Sequence, residues 1–192
     1  MTAARVTEGD IRKIGDASLH VQEDRSGGPD ASGERSGVHV YGGKAALCFE
    51  ADETRGAVPT IALDAASATG PKQYAWRHKI RLQLTKNELP AVLSVLVGFV
   101  PKAEFKNHGP DNDKGFGIEH QGDKLFVRVW AKDQGVKAVP MPLEDAFYVT
   151  ELFLRQLRKA APWMTAGDIL QVVGLVLPPR TAIHPGTGTQ LT

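Results

Sequence analysis

The stretch that best predicts the fold is KLFVRVWAK, residues 124–132. Apolar and polar side chains alternate along it, which is typical of a β-strand because successive side chains point to opposite faces. One face carries the aliphatic residues Leu125, Val127 and Val129. The other face carries three cations and two large aromatic rings, namely Lys124, Phe126, Arg128, Trp130 and Lys132. The run therefore predicts a strand with a buried aliphatic face.

Aromatic rings that alternate with cations on the second face of this strand have two interpretations. Cations neutralise phosphates and flat rings stack on unpaired bases, so Phe126 and Trp130 suit a single-stranded nucleic acid. Alternatively, both rings pack under a helix while the cations reach past it to water. The strand alone does not decide between these interpretations.

A second strand with cations at alternate positions is predicted at residues 74–84, YAWRHKIRLQL. Arg77, Lys79 and Arg81 would share one face at a pitch of about 7 Å, close to the spacing of extended backbone phosphates. The other interpretation is a solvated strand face whose cations discourage edge-to-edge pairing. We favour phosphate contacts, because the second half of the chain carries its own strand of cations and rings.

The same order of elements occurs twice between residues 38 and 163. Each unit is a set of strand-like runs followed by an amphipathic helix. In the first unit the helix begins near Thr85 and Glu88 and follows the runs 38–51, 58–65 and 74–84. In the second unit the helix begins at about residue 143 and follows the runs 103–108, 114–120, 124–132 and 136–142. The repeat predicts an α+β fold in which two antiparallel β-sheets pack with two helices.

Three zones follow from composition. Residues 1–37 hold 5 Lys/Arg against 7 Asp/Glu and are rich in Gly and Ser, which predicts a flexible N-terminal segment. Residues 38–163 hold 17 Lys/Arg against 14 Asp/Glu and form the predicted domain. Residues 164–192 are predicted to be a short apolar run followed by a tail. The positive charge of the chain, +1 overall, therefore lies in the predicted domain.

The sequence offers little for catalysis, a cofactor or a metal. It has no Gly-rich phosphate loop, no nucleophile elbow and a single cysteine. Residues 108–120, HGPDNDKGFGIEH, contain two His and three carboxylates, but Gly115 stands one position early for a calcium loop and the terminal bidentate Glu is missing. We predict a hairpin turn there, no cofactor or metal, and a protein that is not an enzyme.

The single cysteine and the hydropathy bear on location. Cys48 cannot form an internal disulfide, is predicted to be buried, and is compatible with a reducing cytoplasm. No apolar stretch is as long as a membrane span, and the N-terminus lacks a signal-peptide core. We therefore predict a cytoplasmic protein without a membrane partner.

Several short motifs resemble, in the same order, those of the Whirly proteins, which are plant single-stranded-DNA-binding proteins of organelles and nucleus. Residues 42–47, GGKAAL, resemble the KGKAAL signature, with Gly42 in place of its first Lys. Residues 72–79, KQYAWRHK, resemble a segment of the form R-Q-Y-D-W-x-R-K. Residues 103–105, AEF, resemble a C-E-F-F strand, and residues 140–163 resemble a P-I-T-K-A-E-F helix that ends in G-W. The resemblance covers residues 38–163.

The resemblance implies a fold, an assembly and a function. Each protomer is expected to have two antiparallel sheets and two helices, and to form a homotetramer with the helices towards its centre. Single-stranded DNA would be gripped through phosphates and stacked bases with little sequence specificity, in replication, recombination, repair or transfer of DNA. Positive-cofactor-four coactivators and kinetoplastid guide-RNA-binding proteins share the related fold, so the alternative is a transcriptional regulator or an RNA-binding protein.

Two further expectations complete the comparison with the family. The first unit is shorter than in the family by a hairpin's worth of residues between Ala51 and Tyr74, and the compact, Gly- and Ala-rich sequence suits a bacterial or mobile-element relative. The predicted nucleic-acid-binding residues are Lys44, Tyr74, Trp76, Arg77, Lys79, Arg81, Phe105, Lys106, Phe126, Arg128, Trp130 and Lys132.

Overall fold

Two antiparallel β-sheets and three α-helices make up the fold, which a computed structural model describes for residues 37–176. The first sheet contains β1 (Gly37–Tyr41), β2 (Ala45–Glu53), β3 (Pro59–Gly70), β4 (Gln73–Tyr74) and β5 (Ile80–Gln83). The second contains β6 (Lys102–His108), β7 (Lys114–His120), β8 (Lys124–Ala131) and β9 (Gly135–Pro142). The helices are α1 (Glu88–Leu96), α2 (Leu143–Ala160) and α3 (Ala166–Val176). The predicted α+β architecture is confirmed, whereas the predictions for residues 1–36 and 177–192 lie outside the described residues.

The second sheet pairs its strands in chain order, whereas the first follows chain order only from β1 to β4. The first runs β1-β2-β3, with β4 and β5 both paired to β3, and the second runs β6-β7-β8-β9. The run 38–51 is therefore a hairpin, β1 and β2, rather than one strand. In the interval between Ala51 and Tyr74, the long strands β2 and β3 pair with each other and complete the sheet.

The run 74–84 is not one continuous strand, contrary to the prediction. A 3₁₀ helix, Trp76–His78, separates β4 from β5. The pairing of β4 with β3 also shifts register between Ala68 and Gly70. Strict alternation therefore begins only with β5, and Arg77 does not continue the face of that strand.

The core lies between the sheets and the helices. On β8, Leu125, Val127 and Val129 are all buried, as the alternation predicted. They join one apolar cluster with Phe116 of β7 and Phe153 of α2, drawn from both sheets and all three helices. Burying each such side chain contributes about 1.5–3 kcal/mol, so this cluster fixes how the sheets face each other.

Helix α1 begins at a buried carboxylate. One Glu88 oxygen accepts the Thr85 N–H at 2.8 Å, and the other lies 3.0 Å from His108 Nε2 at the end of β6. Burial alone would raise the pKa of Glu88, but these hydrogen bonds outweigh it and lower the pKa. Glu88 therefore joins the start of α1 to the second sheet as an ionised group.

Helix α3 extends the core beyond residue 163, where the predicted domain ended. The apolar run predicted there is helical, and Ile169 and Val173 are buried where it packs on α1 and α2. Its start is a capping box, in which Thr165 and Asp168 exchange hydrogen bonds. None of the helices within residues 37–176 is long and apolar enough to cross a membrane.

Candidate nucleic-acid interface

The second face of β8 is not packed under a helix in the described part of the chain. Phe126 and Trp130 are half-buried and Arg128 between them is exposed. Neither ring belongs to the apolar core or to the residues that pack against it. Lys132 follows the end of β8 and is exposed as well. Within residues 37–176, the alternative in which both rings pack under a helix as part of the core therefore does not hold.

Two glycines on β7 make room for the side chains of this face. Gly115 is the cross-strand partner of Trp130, and a Cβ there would lie 2.6 Å from both Trp130 Cε2 and the Phe105 carbonyl oxygen. Gly117 is the partner of Arg128, whose Nη2 would lie 3.6 Å from such a Cβ. The indole of Trp130 therefore rests directly on the backbone of β7, which holds the ring in place.

One surface carboxylate pairs with two of the predicted cations. Glu104 on β6 lies 3.0 Å from Lys106 Nζ and 3.3 Å from Arg128 Nη2. The hydrogen bond from Lys106 is the main reason that the pKa of Glu104 is lowered. The carboxylate is therefore ionised at neutral pH and offsets part of the positive charge beside Trp130.

Phe105 is not part of this face, contrary to the prediction. Its cross-strand partner is the buried Phe116, and the two ring centroids are 5.0 Å apart. Paired residues of an antiparallel sheet lie on the same face. Phe105 therefore packs against the core, and of the two binding residues predicted on this strand only Lys106 is exposed.

The first sheet carries four rings that contact one another, and we call them the aromatic cluster: His39, Tyr41, Tyr74 and Trp76. His39 stacks on Tyr41 with centroids 5.8 Å apart and meets Trp76 edge-on at 5.4 Å. Tyr74 lies 5.5 Å from Tyr41 and donates a hydrogen bond from Oη to the Gly42 carbonyl at 2.9 Å. The structure thus brings the predicted Tyr74 and Trp76 together with two rings that the sequence analysis missed.

Period-two alternation could have found His39 and Tyr41. They stand on either side of Val40, which is buried, so their rings project from the opposite face of β1. The alternation is short, because β1 ends at Tyr41 and the turn to β2 follows. Only the fold shows that Tyr74 and Trp76, more than 30 residues along the chain, meet this pair.

Two predicted phosphate ligands are instead engaged by carboxylates. Arg81 lies 2.9 Å from both Glu50 and the buried Asp64 and 3.3 Å from Asp52, while Lys79 lies 2.6 Å from Asp64. Burial would lower the pKa of Arg81, but its bonds to Glu50 and the nearby carboxylates outweigh it and raise the pKa. Three carboxylates against two cations leave this group negative overall, so the predicted stripe of three phosphate-binding cations on one strand is wrong.

Three predicted cations remain unpaired within residues 37–176. Lys44 lies in the turn between β1 and β2, Arg77 in the 3₁₀ helix, and Lys132 just after β8. All three are exposed, and none forms an ion pair with another described residue. Their charge is therefore available to a phosphate.

A row across the first sheet places His39, Cys48 and Asp64 side by side. Burial first, and then the charges of Asp64 and Glu50, raise the pKa of the Cys48 thiol to about 12. The thiol is therefore protonated at neutral pH and does not act as a nucleophile.

Within residues 37–176, no group of three or more His, Cys, Asp or Glu is arranged to hold a metal ion.

The aromatic cluster and the β8 face adjoin each other. A Cβ on Gly42 would lie 3.2 Å from Val139 Cγ1 and 3.6 Å from Pro140 Cδ, so the β1–β2 turn touches β9. Gly42 also accepts the hydrogen bond from Tyr74, and Pro140 is the cross-strand partner of Phe126. The two groups of rings therefore lie on either side of one contact between the sheets.

Comparison with known proteins reveals likeness in structure only. No protein-family model matches the chain, and no curated protein matches it. The solved structure of PBF-2, a plant transcriptional regulator, is 20% identical, covers 66% of this chain and 82% of its own, and superposes with a TM-score of 0.52. WHY3 of Arabidopsis thaliana is also 20% identical, covers 74% of this chain and 98% of its own, and gives a TM-score of 0.49. The fold implied by the motifs is therefore confirmed: this chain has the fold of the Whirly protein PBF-2.

Proposed function

We propose that this chain binds single-stranded DNA with little sequence specificity. The observation that carries the proposal is the β8 face, where Phe126 and Trp130 alternate with cations and lie outside the core. Rings held on a strand beside Arg128 place flat surfaces, on which unpaired bases stack, next to a cation that can contact a phosphate. The motif resemblance to the Whirly proteins supports the same ligand.

The geometry suggests how such a strand would be held. Bases stack on Trp130 and Phe126, and each stacked base contributes about 1–3 kcal/mol whatever its sequence. Phosphates contact exposed cations, among which Lys44, Arg77 and Lys132 are unpaired within residues 37–176. Neither kind of contact reads base edges, so low specificity is expected.

The experiment is a fluorescence-anisotropy titration with labelled oligothymidine, in which duplex of the same length is the competitor. Tight, salt-sensitive binding that duplex does not compete away supports the proposal. Trp130→Ala should weaken binding by about 1–3 kcal/mol and leave the salt slope nearly unchanged, because a base contact and no phosphate contact is lost. A lowered melting temperature with unchanged affinity in the folded fraction would contradict the assignment of Trp130.

Assembly into a homotetramer through the helices is part of this proposal. Several large apolar side chains near or on α2 and α3 are exposed: Phe147 (67%), Trp163 (80%), Leu175 (76%) and Val176 (68%). Monomeric proteins seldom expose so many together, so we expect copies of the chain to cover them. Sedimentation equilibrium should give four times the chain mass of 20.7 kDa, and Phe147→Glu should dissociate the assembly. A wild-type monomer at micromolar concentration would contradict it.

A transcriptional regulator is the second candidate, and it rests on the likeness in fold to PBF-2, which is one. An RNA-binding protein on this fold is tested by the same titration with oligouridine. Equal or tighter binding of RNA would favour that alternative over DNA. The proposal includes no catalytic step. It includes a cytoplasmic location, which the single cysteine favours.

A further inference from the structure

We propose that Tyr41 is a second base-stacking subsite, on the first sheet and separate from the β8 face. The proposal rests on the proposed function, because its ligand is an unpaired nucleobase of the same strand. Tyr41 is 60% exposed at the end of β1, although it is a large aromatic residue. Its ring is therefore accessible, and its orientation is fixed by the residues around it.

Two rings of the aromatic cluster contact the ring of Tyr41. His39 is nearly parallel to it, with 12° between the ring planes, and Tyr74 is tilted by 32° at 5.5 Å. Tyr74 is itself anchored by its hydrogen bond to Gly42. A ring held in this way loses little conformational entropy when a base stacks on it, which favours binding.

The chemistry of the cluster suits an uncharged base rather than a phosphate. Burial is the main reason that the pKa of His39 is lowered, and it outweighs the charges of Glu50 and Asp64, which raise it. His39 is therefore neutral at physiological pH and contributes a ring face. The nearest positive charge along β1–β2 is Lys44, three residues after Tyr41. Lys44 has no ion pair within residues 37–176 and is available for the adjoining phosphate.

The position of Tyr41 places it on the same path as the β8 face. The turn that follows Tyr41 touches Pro140, and Pro140 is paired with Phe126. A strand that stacks on both groups must cross this contact between the sheets. Single-strand binding domains engage about 4–16 nucleotides, so an oligonucleotide near the upper end of that range is the appropriate probe for both subsites.

The test is the affinity of the full chain for a labelled oligothymidine of about 12 nucleotides. Tyr41→Ala should weaken binding about 5- to 150-fold, the fold-change of one lost stacking contact, with an unchanged salt slope. Tyr41→Phe, which keeps the ring, should bind like wild type. Tyr148→Ala is the matched control, because Tyr148 on α2 is 59% exposed, and it should also bind like wild type in preparations whose sedimentation is unchanged.

The outcomes separate this inference from the proposed function. Failure of wild type to bind oligothymidine would overturn the proposed function and this inference with it. Normal binding by Tyr41→Ala, with Trp130→Ala impaired, would overturn the subsite alone. A loss of binding by Tyr41→Ala that appears only at temperatures where the variant is partly unfolded would also overturn it, because the ring would then be structural.

Discussion

Glu104→Gln should increase the affinity of the chain for single-stranded DNA. The Glu104 carboxylate is shared by Lys106 at 3.0 Å and Arg128 at 3.3 Å, and both cations lie beside the proposed base path. Glutamine has nearly the same shape and no charge. The substitution therefore releases both cations to contact phosphates, without removing any group from the core.

The magnitude follows from counterion release. Each phosphate contact with a single strand changes the slope of log K against log salt concentration by about 0.7. One additional contact steepens the slope by about 0.7 and two by about 1.4, so the affinity ratio of variant to wild type changes about 5- to 25-fold over a tenfold range of salt. The gain should be largest at low salt.

Anisotropy titrations at several salt concentrations measure this slope, and Glu144→Gln is the control because it removes the same charge from a different element, the first turn of α2. The control should leave the slope unchanged. If Glu104→Gln binds with wild-type slope and affinity, then the strand does not pass Arg128 and Lys106, and the path proposed here is wrong. The melting temperature should change little, because Glu104 is exposed.

Three further predictions test the parts around this path. Gly115→Ala should displace the indole of Trp130 and weaken oligothymidine binding by up to about 1–3 kcal/mol, with greater acrylamide quenching when Trp130 is the only tryptophan left. Arg81→Ala should lower the free energy of unfolding by about 1–3 kcal/mol, because the buried Asp64 loses one cationic partner, and should not change the salt slope; a reduced slope would restore Arg81 as a phosphate ligand. Glu88→Gln should lower the free energy of unfolding by about 1–2 kcal/mol at pH 7. Because the folded-state pKa of Glu88 is lowered, this difference from wild type should persist above the ordinary pKa of 4.5 and disappear as pH falls through the lowered pKa. Urea unfolding at several pH values measures it.

Strand β8, its two faces and the two-unit repeat could be predicted from the sequence alone. Side-chain alternation is a local property of an extended backbone, so KLFVRVWAK specified both that β8 forms and that Val127 faces the core. The same alternation places the side chains of Phe105 and Lys106 on opposite faces of their strand. Its assignment to the binding face was therefore an error of interpretation, which the pairing with Phe116 corrects.

Residues 166–176 show a different limit. A short apolar run is compatible with a strand, a helix or a loose segment, and the only local sign of a helix is the capping box of Thr165 and Asp168 at its start. Its helical state is fixed by the burial of Ile169 and Val173 against α1 and α2. The run 74–84 likewise gives no local sign of the 3₁₀ helix Trp76–His78 that interrupts it.

The sequence by itself determined which side chains lie outside the core. These are the rings and cations of β8 and the exposed cations Lys44 and Arg77. What only the tertiary structure decided is which of these side chains are neighbours. Arg81 meets Asp64 and Glu50 from other strands, and Tyr41 meets Tyr74 across the sheet. The physical reason is that Coulomb and stacking interactions depend on distance in space, and residues 17 or 31 positions apart are brought together only when strands pair.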